Sequence, residues 1–371
     1  MLIGVIKEIK NHEYRVGMTP AGVNELTRNG HDVIVEKDAG LAINFSNQDY
    51  VDAGAKIIDT AKEIFDKADM IVKVKEPQPS ECKMLRSGQI LFTYLHLAPD
   101  PEQTRGLLDS DCVAIAYETV TDKNNGLPLL APMSEVAGRL SIQAGAHALE
   151  KHKGGLGMLL GGVPGVQPAN VVVIGGGVVG LNAARMAVGL NADVTILDRD
   201  LQVLKKIDNM SNGRIKTLYS NYMNLENAVI AADLVIGAVL IPGASAPKLV
   251  THNMLKKMKH GSVLVDVAID QGGCFETSLP TTHQDPTYMV ENVVHYCVAN
   301  MPGAVPKTST LALTNATLPF VIELANKGWK QALRDNQHLR NGLNVCMGNV
   351  TYNAVARDLG YTYVAPDKLI A

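Results

Sequence analysis

Short apolar runs alternate with segments of helical periodicity along most of this 371-residue chain. Glycine, proline or aspartate bounds each run, and the intervening segments are roughly 10–15 residues long, a pattern typical of strand–helix–strand units in parallel sheets. Five strands are predicted in the first block, at Leu2–Ile6, Val33–Glu36, Met70–Val74, Ile90–Leu95 and Val113–Tyr117. We therefore expect an α/β fold.

Helix signals separate these strands. Pro20–Asn29 has a helical pattern that ends at Gly30, as expected for a glycine C-cap. A proline-containing connector at Leu127–Pro132 precedes a longer helix, which we expect to begin with Ser134 as its N-cap and to continue to about Lys151. A glycine-rich passage then leads into a second block of strands.

The second block repeats the strand–helix alternation. It opens with a strand at Val171–Ile174, a glycine-rich loop and a helix that ends near Leu190. Further strands are predicted at Val194–Leu197, Leu234–Leu240, Ser262–Ile269 and His295–Val298. From about Pro306 the pattern is helical, through Leu311–Lys327 and on toward the C-terminus.

Composition and charge exclude several classes of protein. The chain is 46% apolar and 19% charged with a formal net charge of -3, so it lacks the basic excess that nucleic-acid binding uses. The N-terminus has no signal-peptide pattern, and the apolar stretch Val171–Gly180 is too short to span a bilayer. Five dispersed cysteines indicate reduced, mostly buried thiols. We expect a cytoplasmic protein that binds neither nucleic acid nor membrane.

Three glycines with the spacing Gly175-x-Gly177-x-x-Gly180 follow the strand at Val171–Ile174. In a dinucleotide-binding fingerprint they serve the tight turn, the approach of backbone to pyrophosphate, and helix–strand packing, and the helix N-terminus faces the phosphates. Asp198 follows the next strand, where a carboxylate accepts both ribose hydroxyls of adenosine. The alternatives are a turn that binds nothing and a solvated aspartate. The agreement of strand, glycines, helix and acid favours a Rossmann domain that binds NAD.

The position of this fingerprint fixes the predicted domains. The residues after Pro306 come too late for a six-stranded Rossmann unit, so we expect them to pack back on the first domain and make it discontinuous. The prediction is a substrate and catalytic α/β domain of residues 1–128 and 306–371, and an NAD-binding domain of residues 129–305. A chain of this length also exceeds what one core usually supports.

Polar residues follow several predicted strands, where ligands gather in open α/β sheets. Alternation along the strand places Lys73 and Lys75 on one face, with Lys75 nearer the strand end. His96 follows one strand, Asp270 ends another, and Arg15 lies in a charged loop after the first strand. Each taken singly has a structural explanation, such as a solvated lysine or a packed histidine. Together they form a set suited to an amino or oxo acid.

Several ordered motifs resemble the alanine dehydrogenase family, which is related to the NAD-binding part of proton-translocating transhydrogenase. The resemblance covers essentially the whole chain. It rests on Gly4–Glu8 with Arg15, Val72–Pro77, Tyr94–Leu97, Pro132–Arg139, Ile174–Gly180, Asp266–Gly273 and Val298–Pro306.

This resemblance implies reversible conversion of L-alanine, NAD⁺ and water to pyruvate, ammonium and NADH, usually by a homohexamer. It implies Arg15 and Lys75 on the substrate carboxylate or carbonyl, with His96 and Asp270 as catalytic residues. The implied cofactor contacts are Ser134, Val178, Val179, Asp198, Ser220, Val239, Leu240, Val267, Ala268, Ile269, Asp270, Val298, Ala299, Asn300 and Met301.

The chain departs from some family members at three positions. Val203 stands where some have a basic residue near the ribose, and Leu279 stands where some have an arginine. Lys327 stands where some have a metal-binding histidine, so Glu323 and Lys327 are expected to form an i,i+4 ion pair and no metal site is predicted.

Three other functions stay open at this point. A non-catalytic NAD sensor would not need Arg15, Lys75, His96 and Asp270 together. A soluble transhydrogenase subunit would deliver hydride to a partner protein. A dehydrogenase of another amino acid, with a saccharopine-type substrate for example, would share the fold.

Overall fold

The computed structural model describes residues 1–239 and 246–371. Its strands are β1 (Leu2–Val5), β2 (Asp32–Glu36), β3 (Lys56–Ile58), β4 (Met70–Val72), β5 (Ile90–Thr93), β6 (Val113–Ala116), β7 (Asn170–Ile174), β8 (Asp193–Asp198), β9 (Ile215–Tyr219), β10 (Leu234–Gly237), β11 (Val263–Asp266), β12 (Thr287–Val290), β13 (Val293–Tyr296), β14 (Leu343–Cys346) and β15 (Asn349–Val350).

Its helices lie between and after these strands. They are α1 (Pro20–Arg28), α2 (Asn47–Asp52), α3 (Ala61–Lys67), α4 (Pro79–Cys82), α5 (Pro101–Asp109), α6 (Ala131–Ala148), α7 (Val178–Gly189), α8 (Leu201–Ser211), α9 (Tyr222–Ala231), α10 (His252–Leu255), α11 (Pro306–Lys327), α12 (Trp329–Asp335), α13 (Gln337–Arg340), α14 (Asn353–Leu359) and α15 (Asp367–Ile370). In residues 1–239 and 246–371, no helix has the combination of length and apolar character needed to cross a membrane.

The chain divides into two compact units. Unit 1 consists of Met1–Met133 and Val305–Ala371, and unit 2 of Ser134–Ala304. Unit 1 contains an eight-stranded sheet in the order β15-β14-β6-β5-β4-β1-β2-β3, and unit 2 a seven-stranded sheet in the order β12-β13-β11-β10-β7-β8-β9. Strands β1 to β6 are mutually parallel, as are β7 to β11 with β13. The predicted α/β fold class is confirmed.

Both sheets share one strand order. Taken in chain order within each unit, the six parallel strands lie in the sequence 3-2-1-4-5-6, as in a Rossmann sheet. The order reverses between β1 and β4 in unit 1, and between β7 and β10 in unit 2. Ligands of such sheets bind outside the carboxyl ends of the strands, at this reversal. Both sheets therefore have a crevice position for a ligand.

Most predicted strands are present but end earlier than expected. The strand predicted to reach Val74 ends at Val72, and the strand predicted to reach Leu95 ends at Thr93. Val74 and Leu95 are nevertheless completely buried. The apolar run continues because the loop after each strand also packs in the core, so hydrophobicity overestimates the length of the hydrogen-bonded ladder.

Two other boundary predictions are wrong. Helix α6 begins at Ala131, so Ser134 lies in its first turn and is not the N-cap. The C-terminal region is not helical throughout, because β14 pairs antiparallel with β6 and β15 with β14. Helix α1 agrees with its prediction: Thr19 caps its N-terminus, and Gly30 has a φ of +82° just beyond its end.

Each unit has its own apolar core. In unit 1 it includes Ile6, Phe65 and Leu91, and in unit 2 it includes Val172 and Phe275. The predicted reduced, buried state of the cysteines is confirmed, since all five are unpaired and buried, namely Cys82, Cys112, Cys274, Cys297 and Cys346.

Candidate dinucleotide and substrate sites

The glycine-rich loop after β7 has the geometry that its spacing predicts. Gly175 has a φ of +103°, and a Cβ there would lie 2.6 Å from the carbonyl oxygen of Ala238. A Cβ on Gly180 would overlap the carbonyl oxygen of Gly175, whereas one on Gly177 would meet none of the described residues within 4 Å. The loop is therefore closely packed at two glycines and open at the third, where backbone can approach a ligand.

Asp198 ends β8 beside this loop. Its Oδ2 accepts a hydrogen bond from the amide of Gly176 at 2.6 Å, and its Oδ1 accepts one from the amide of Asp200 at 2.8 Å. Both bonds fix the orientation of the carboxylate at the carboxyl end of the sheet. Val203 lies close by and occupies the space where Gly176 has no side chain.

Helix α6 packs against the start of α7. A Cβ on Gly138 would overlap the carbonyl oxygen of Val179, and Arg139 donates from Nε to Asn182 at 3.0 Å. Ser134 precedes Gly138 by four residues and so lies on the same face of α6, one turn nearer its N-terminus. This places Ser134 on the side of α6 that faces α7.

The other predicted cofactor contacts follow the carboxyl ends of parallel strands in unit 2. The amide of Ser220, after β9, donates to the carbonyl of Asp198 at 2.9 Å, and Val239 follows β10 next to Gly175. Val267–Asp270 follow β11 and Val298–Met301 follow β13. Leu240 lies outside the described residues. With an open glycine, an uncapped α7 and an oriented acid at one sheet edge, the residues present fit a dinucleotide.

The carboxylate that ends β11 is Asp266, not Asp270 as predicted. Asp266 is completely buried and accepts hydrogen bonds from the amides of Ala268, Cys274 and Phe275. Burial raises its pKa, and hydrogen bonds from Ser278, Phe275 and Cys274 oppose that rise. Asp270 lies four residues later, exposed in a 3-10 turn. Asp266 thus fixes the loop, and Asp270 is an exposed residue of that loop.

In unit 1, Arg15 lies in the loop after β1 and is only 3% exposed. Glu13 holds its guanidinium with two bonds, Nε to Oε1 at 2.7 Å and Nη2 to Oε2 at 2.6 Å. Nη1 faces the sulfur of Met133 at 3.2 Å. Burial by itself would lower the pKa of Arg15, but the bonds and charge of Glu13 outweigh burial and raise that pKa. The guanidinium is therefore charged and held in one orientation.

Lys75 lies three residues beyond the end of β4, so strand alternation does not extend to it. Its ammonium is mostly buried and lies 3.4 Å from Glu76. Burial by itself would raise the pKa of Glu76, but Lys75 and Lys10 outweigh it and lower that pKa to about 2. Lys73, expected beside Lys75, is instead completely buried between two glutamates.

His96 follows β5 in a conformation uncommon for a residue with a side chain, with a φ of +49°. Its amide donates to Glu118 at 2.7 Å, and its ring stacks on Tyr94 with centroids 5.8 Å apart. The imidazole is 45% exposed. Strained backbone that holds an exposed polar side chain is typical of functional sites.

Buried polar groups that the sequence did not single out connect these residues. Burial raises the pKa of Tyr94, and the nearby charge of Arg15 opposes that rise, while the Tyr94 ring stacks on His96. A cavity of about 270 Å³ is lined in part by Glu8, Glu13 and Arg15, but Lys75 and His96 are not among its lining residues. Glu8 lies three residues beyond the end of β1, as Lys75 lies beyond the end of β4, so the strand-end rule that selected Lys75 would also have selected Glu8.

The predicted i,i+4 ion pair on α11 is present, with Lys327 3.1 Å from Glu323 and 2.9 Å from Asp335. Within residues 1–239 and 246–371, no group of histidine, cysteine, aspartate and glutamate has the arrangement of a metal site. Lys327 thus pairs with carboxylates on two helices.

The strand order and the glycine-rich loop define a two-domain α/β protein with a Rossmann-type dinucleotide-binding unit. Residues 4–137 match the family model of the N-terminal domain of alanine dehydrogenase/PNT, and residues 141–353 match that of its C-terminal domain. The chain therefore belongs to the alanine dehydrogenase/PNT family, and the resemblance seen in its motifs is confirmed.

Individual relatives show how specific this membership is. An alanine dehydrogenase of Halomonas elongata is 61% identical over 370 residues and covers 100% of each chain. A solved L-alanine dehydrogenase has a TM-score of 0.94 at 52% identity, covering 97% of this chain and 99% of that one. A transhydrogenase from Sinorhizobium meliloti has a TM-score of 0.81 at 25% identity, covering 95% and 100%. The similarity to alanine dehydrogenase is the stronger in both sequence and fold.

Proposed function

We propose that this protein is an NAD-dependent L-alanine dehydrogenase. It converts L-alanine, NAD⁺ and water reversibly to pyruvate, ammonium, NADH and a proton. Full-length identity of 61% with an alanine dehydrogenase is the observation that carries this proposal. The identity of 25% with a transhydrogenase gives the transhydrogenase alternative weaker support.

The two units divide the work in this proposal. Unit 2 binds NAD at the carboxyl edge of its sheet, and unit 1 binds the amino or oxo acid beyond β1, β4 and β5. The glycine fingerprint supports the first assignment, and the concentration of Arg15, Lys75 and His96 after neighbouring strands supports the second. The functional domains are those expected from the sequence, residues 129–305 for NAD and residues 1–128 with 306–371 for substrate.

NAD, when bound, accepts the hydride from the substrate Cα. The loop Gly175–Gly180 and the amides of Val178 and Val179 hold the pyrophosphate, because the N-terminus of α7 carries unsatisfied N–H groups. Asp198 accepts the ribose hydroxyls with a carboxylate already oriented by two amides. The further contacts proposed are Ser134, Ser220, Val239, Leu240, Val267, Ala268, Ile269, Asp270, Val298, Ala299, Asn300 and Met301.

Two cations bind the substrate. A guanidinium holds a carboxylate with two parallel charge-assisted bonds, and Glu13 already fixes the plane of the Arg15 guanidinium. The ammonium of Lys75 donates to the oxygen on the reacting carbon, where it stabilises developing negative charge.

His96 and Asp270 carry the later proton steps. Water adds to the imine as a base takes one of its protons, and that proton is then given to the carbinolamine nitrogen, which leaves as ammonia. The hydroxyl proton released as the pyruvate carbonyl forms converts the ammonia to ammonium. Histidine ordinarily exchanges protons near neutral pH, and the exposed imidazole of His96 suits both transfers. The carboxylate of Asp270 orients the water and stabilises positive charge on the imine and the leaving amine.

An amino-acid panel with NAD⁺ tests the proposal. We expect NADH absorbance to grow on addition of L-alanine, and to grow far more slowly with glycine, L-serine or L-saccharopine at equal concentration. Rapid NADH formation with another amino acid in place of L-alanine would assign a different substrate. Absence of turnover with every amino acid, together with tight NADH binding, would favour an NAD sensor.

The two proposed substrate cations respond differently to substitution. Arg15→Lys loses the two parallel hydrogen bonds to the substrate carboxylate. The KM for pyruvate should therefore rise about tenfold or more, while the KM for NADH changes little. Lys75→Ala should mainly lower kcat. Arg105→Lys, on the exposed face of α5, is the matched control. Unchanged pyruvate kinetics in Arg15→Lys would make Arg15 only a structural partner of Glu13.

We propose that the enzyme acts in the cytoplasm as a homo-oligomer, a hexamer in keeping with the family resemblance. Five unpaired, buried cysteines support a reducing compartment. Light scattering after size-exclusion chromatography measures the assembly. A monomer at micromolar concentration would contradict the proposed assembly.

A further inference from the structure

A lysine with no assigned role is buried beside the proposed substrate residues. Lys73 is 0% exposed, and its Nζ lies 3.0 Å from Glu8 Oε2 and 3.3 Å from Glu81 Oε2. Burial by itself would lower the pKa of Lys73, but the two glutamates outweigh it and raise that pKa. The buried triad Glu8–Lys73–Glu81 thus contains a charged lysine, and breaking such a group is costly.

The two carboxylates of this triad differ in what else they bind. Glu8 Oε1 accepts hydrogen bonds from the amides of Val74 at 2.6 Å and Lys75 at 3.2 Å. Glu81 instead accepts from the amide of Gln78 at 2.7 Å. Both glutamates hold the same ammonium, but of the two only Glu8 is seen to bond the backbone of Lys75 in the described part of the chain.

The backbone of Lys75 needs such partners because β4 has already ended at Val72. Glu8 satisfies its amide, and Thr93 donates from Oγ1 to its carbonyl at 2.8 Å. Glu8, after β1, and Thr93, at the end of β5, thus bond the amide and the carbonyl of Lys75, which have no strand partner among the residues that the structure describes. The Lys75 peptide is fixed where the strand order reverses.

We infer that Glu8 is a positioning residue for Lys75, which rests on the proposed role of Lys75 toward substrate. Lys73 orients the Glu8 carboxylate, and the carboxylate fixes the peptide from which the Lys75 ammonium extends. Displacement of a reacting group by about 1 Å can cost on the order of 10² in rate. Glu8 therefore affects turnover without touching substrate.

The pair Glu8→Gln and Glu81→Gln tests this inference. Each removes one carboxylate from Lys73, so both should lower the melting temperature. Glu8→Gln turns an amide donor toward the Lys73 ammonium or the Lys75 amide, which are themselves donors, so one of these hydrogen bonds is lost and Lys75 shifts. The kcat for pyruvate amination should therefore fall about 10–100-fold, with the KM for NADH unchanged. Glu81→Gln should keep kcat within about threefold. Equal losses of kcat in the two variants would reduce the triad to a stabilising group and overturn the inference.

Two further measurements keep the test decisive. Thr93→Val removes the other bond to the Lys75 peptide without changing charge, so kcat should again fall with the KM for NADH unchanged. Amide hydrogen exchange of the segment around Lys75 should be faster in Glu8→Gln than in Glu81→Gln, and equal exchange would overturn the inference independently of activity. A wild-type protein that does not oxidise L-alanine would instead refute the proposed function.

Discussion

The two sheets share one strand order but differ in the chemistry beyond their carboxyl ends. Beyond β7 and β10, the chain presents glycines and backbone amides, with one oriented acid at the end of β8. Beyond β1, β4 and β5 it presents Arg15, Lys75 and His96, supported by the buried Glu13 and Glu8 and by the half-buried Glu118. The shared topology fixes where a ligand binds. Backbone groups then suit a pyrophosphate, and charged side chains suit a small acid.

The largest effect is expected from removing the side chains proposed for proton transfer. His96→Ala and Asp270→Asn should each lower kcat by about 10²–10⁴ while NADH affinity stays within a few-fold. Steady-state kinetics and NADH titration measure both quantities. His147→Ala, exposed on α6 beside Glu150, is the control. A folded His96→Ala enzyme that binds NADH and retains near-normal kcat would remove His96 from the mechanism, and an effect of Asp270→Asn would show that unit 2 also supplies side-chain chemistry.

The next test concerns Asp198, the acid beside the glycine-rich loop of unit 2. A 2′-phosphate near Asp198 would meet a like charge at a cost of about 4 kcal/mol, roughly a thousandfold preference for NAD over NADP. Exposed Arg199 could pair with that phosphate and reduce the preference. Asp198→Asn should narrow the ratio of kcat/KM values, whereas Asp193→Asn, at the opposite end of β8, should leave it unchanged. Wild-type values for the two cofactors within tenfold of each other would contradict the electrostatic argument.

A smaller effect is expected for acid stability in the charged region. The pKa of Glu76 falls from 4.5 to about 2 in the folded protein, so the ionised form stabilises the fold above pH 4.5, and this stabilisation is lost as pH falls toward 2. The contribution is about 3 kcal/mol at pH 7. Urea unfolding of Glu76→Gln at pH 7 and pH 3 should give a penalty that is less than half as large at the lower pH. Glu63→Gln, exposed on α3, is the control. Equal penalties at both pH values would exclude the ion-pair explanation.

The smallest effect tests backbone packing. Gly180→Ala places a methyl group against the carbonyl of Gly175, and overpacking of this kind costs about 1–3 kcal/mol. NADH affinity should fall about tenfold as the loop shifts. A Cβ on Gly189, at the end of the same helix, would meet nothing within 4 Å in residues 1–239 and 246–371, so Gly189→Ala should leave NADH binding unchanged. Equal NADH affinities for both variants would show that the loop tolerates the displacement.

This contrast also explains what the sequence could predict. The glycine fingerprint has one local geometry, so spacing alone located Gly175, Gly177 and Gly180 with the loop and helix around them. The strand cores were predicted because apolar runs mark them. Strand ends were not, since Val74 and Leu95 stay buried after the ladder has ended. Strands β3, β9, β12, β14 and β15 were not predicted, and of these β3 and β15 contain too few residues for a periodic pattern.

In unit 1 some partners of charged residues come from distant parts of the chain. Glu8 meets the Lys75 amide 67 residues away, and no spacing rule predicts such a pair. Lys73 and Lys75 show this limit of sequence-based prediction, because they belong to one motif and have different surroundings. Lys73 is fully buried, whereas the ammonium of Lys75 lies near Glu76. Asp270 was likewise predicted to end β11, but the strand ends at Asp266. Charged residues near strand ends are found by sequence, but their roles require coordinates.

The discontinuity of unit 1 has a consequence for biosynthesis. Met1–Met133 leave the ribosome with the edge of β6 unpaired, because its partner β14 lies near the end of the chain. Unit 2 is continuous, so all of its strands have been synthesised before β14 is available to pair with β6. At about 5–20 residues per second, synthesis of residues 134–371 takes roughly 10–50 s. Over that interval the strand edge of β6 is open to pairing with other chains, so the nascent N-terminal segment can aggregate until β14 has been made.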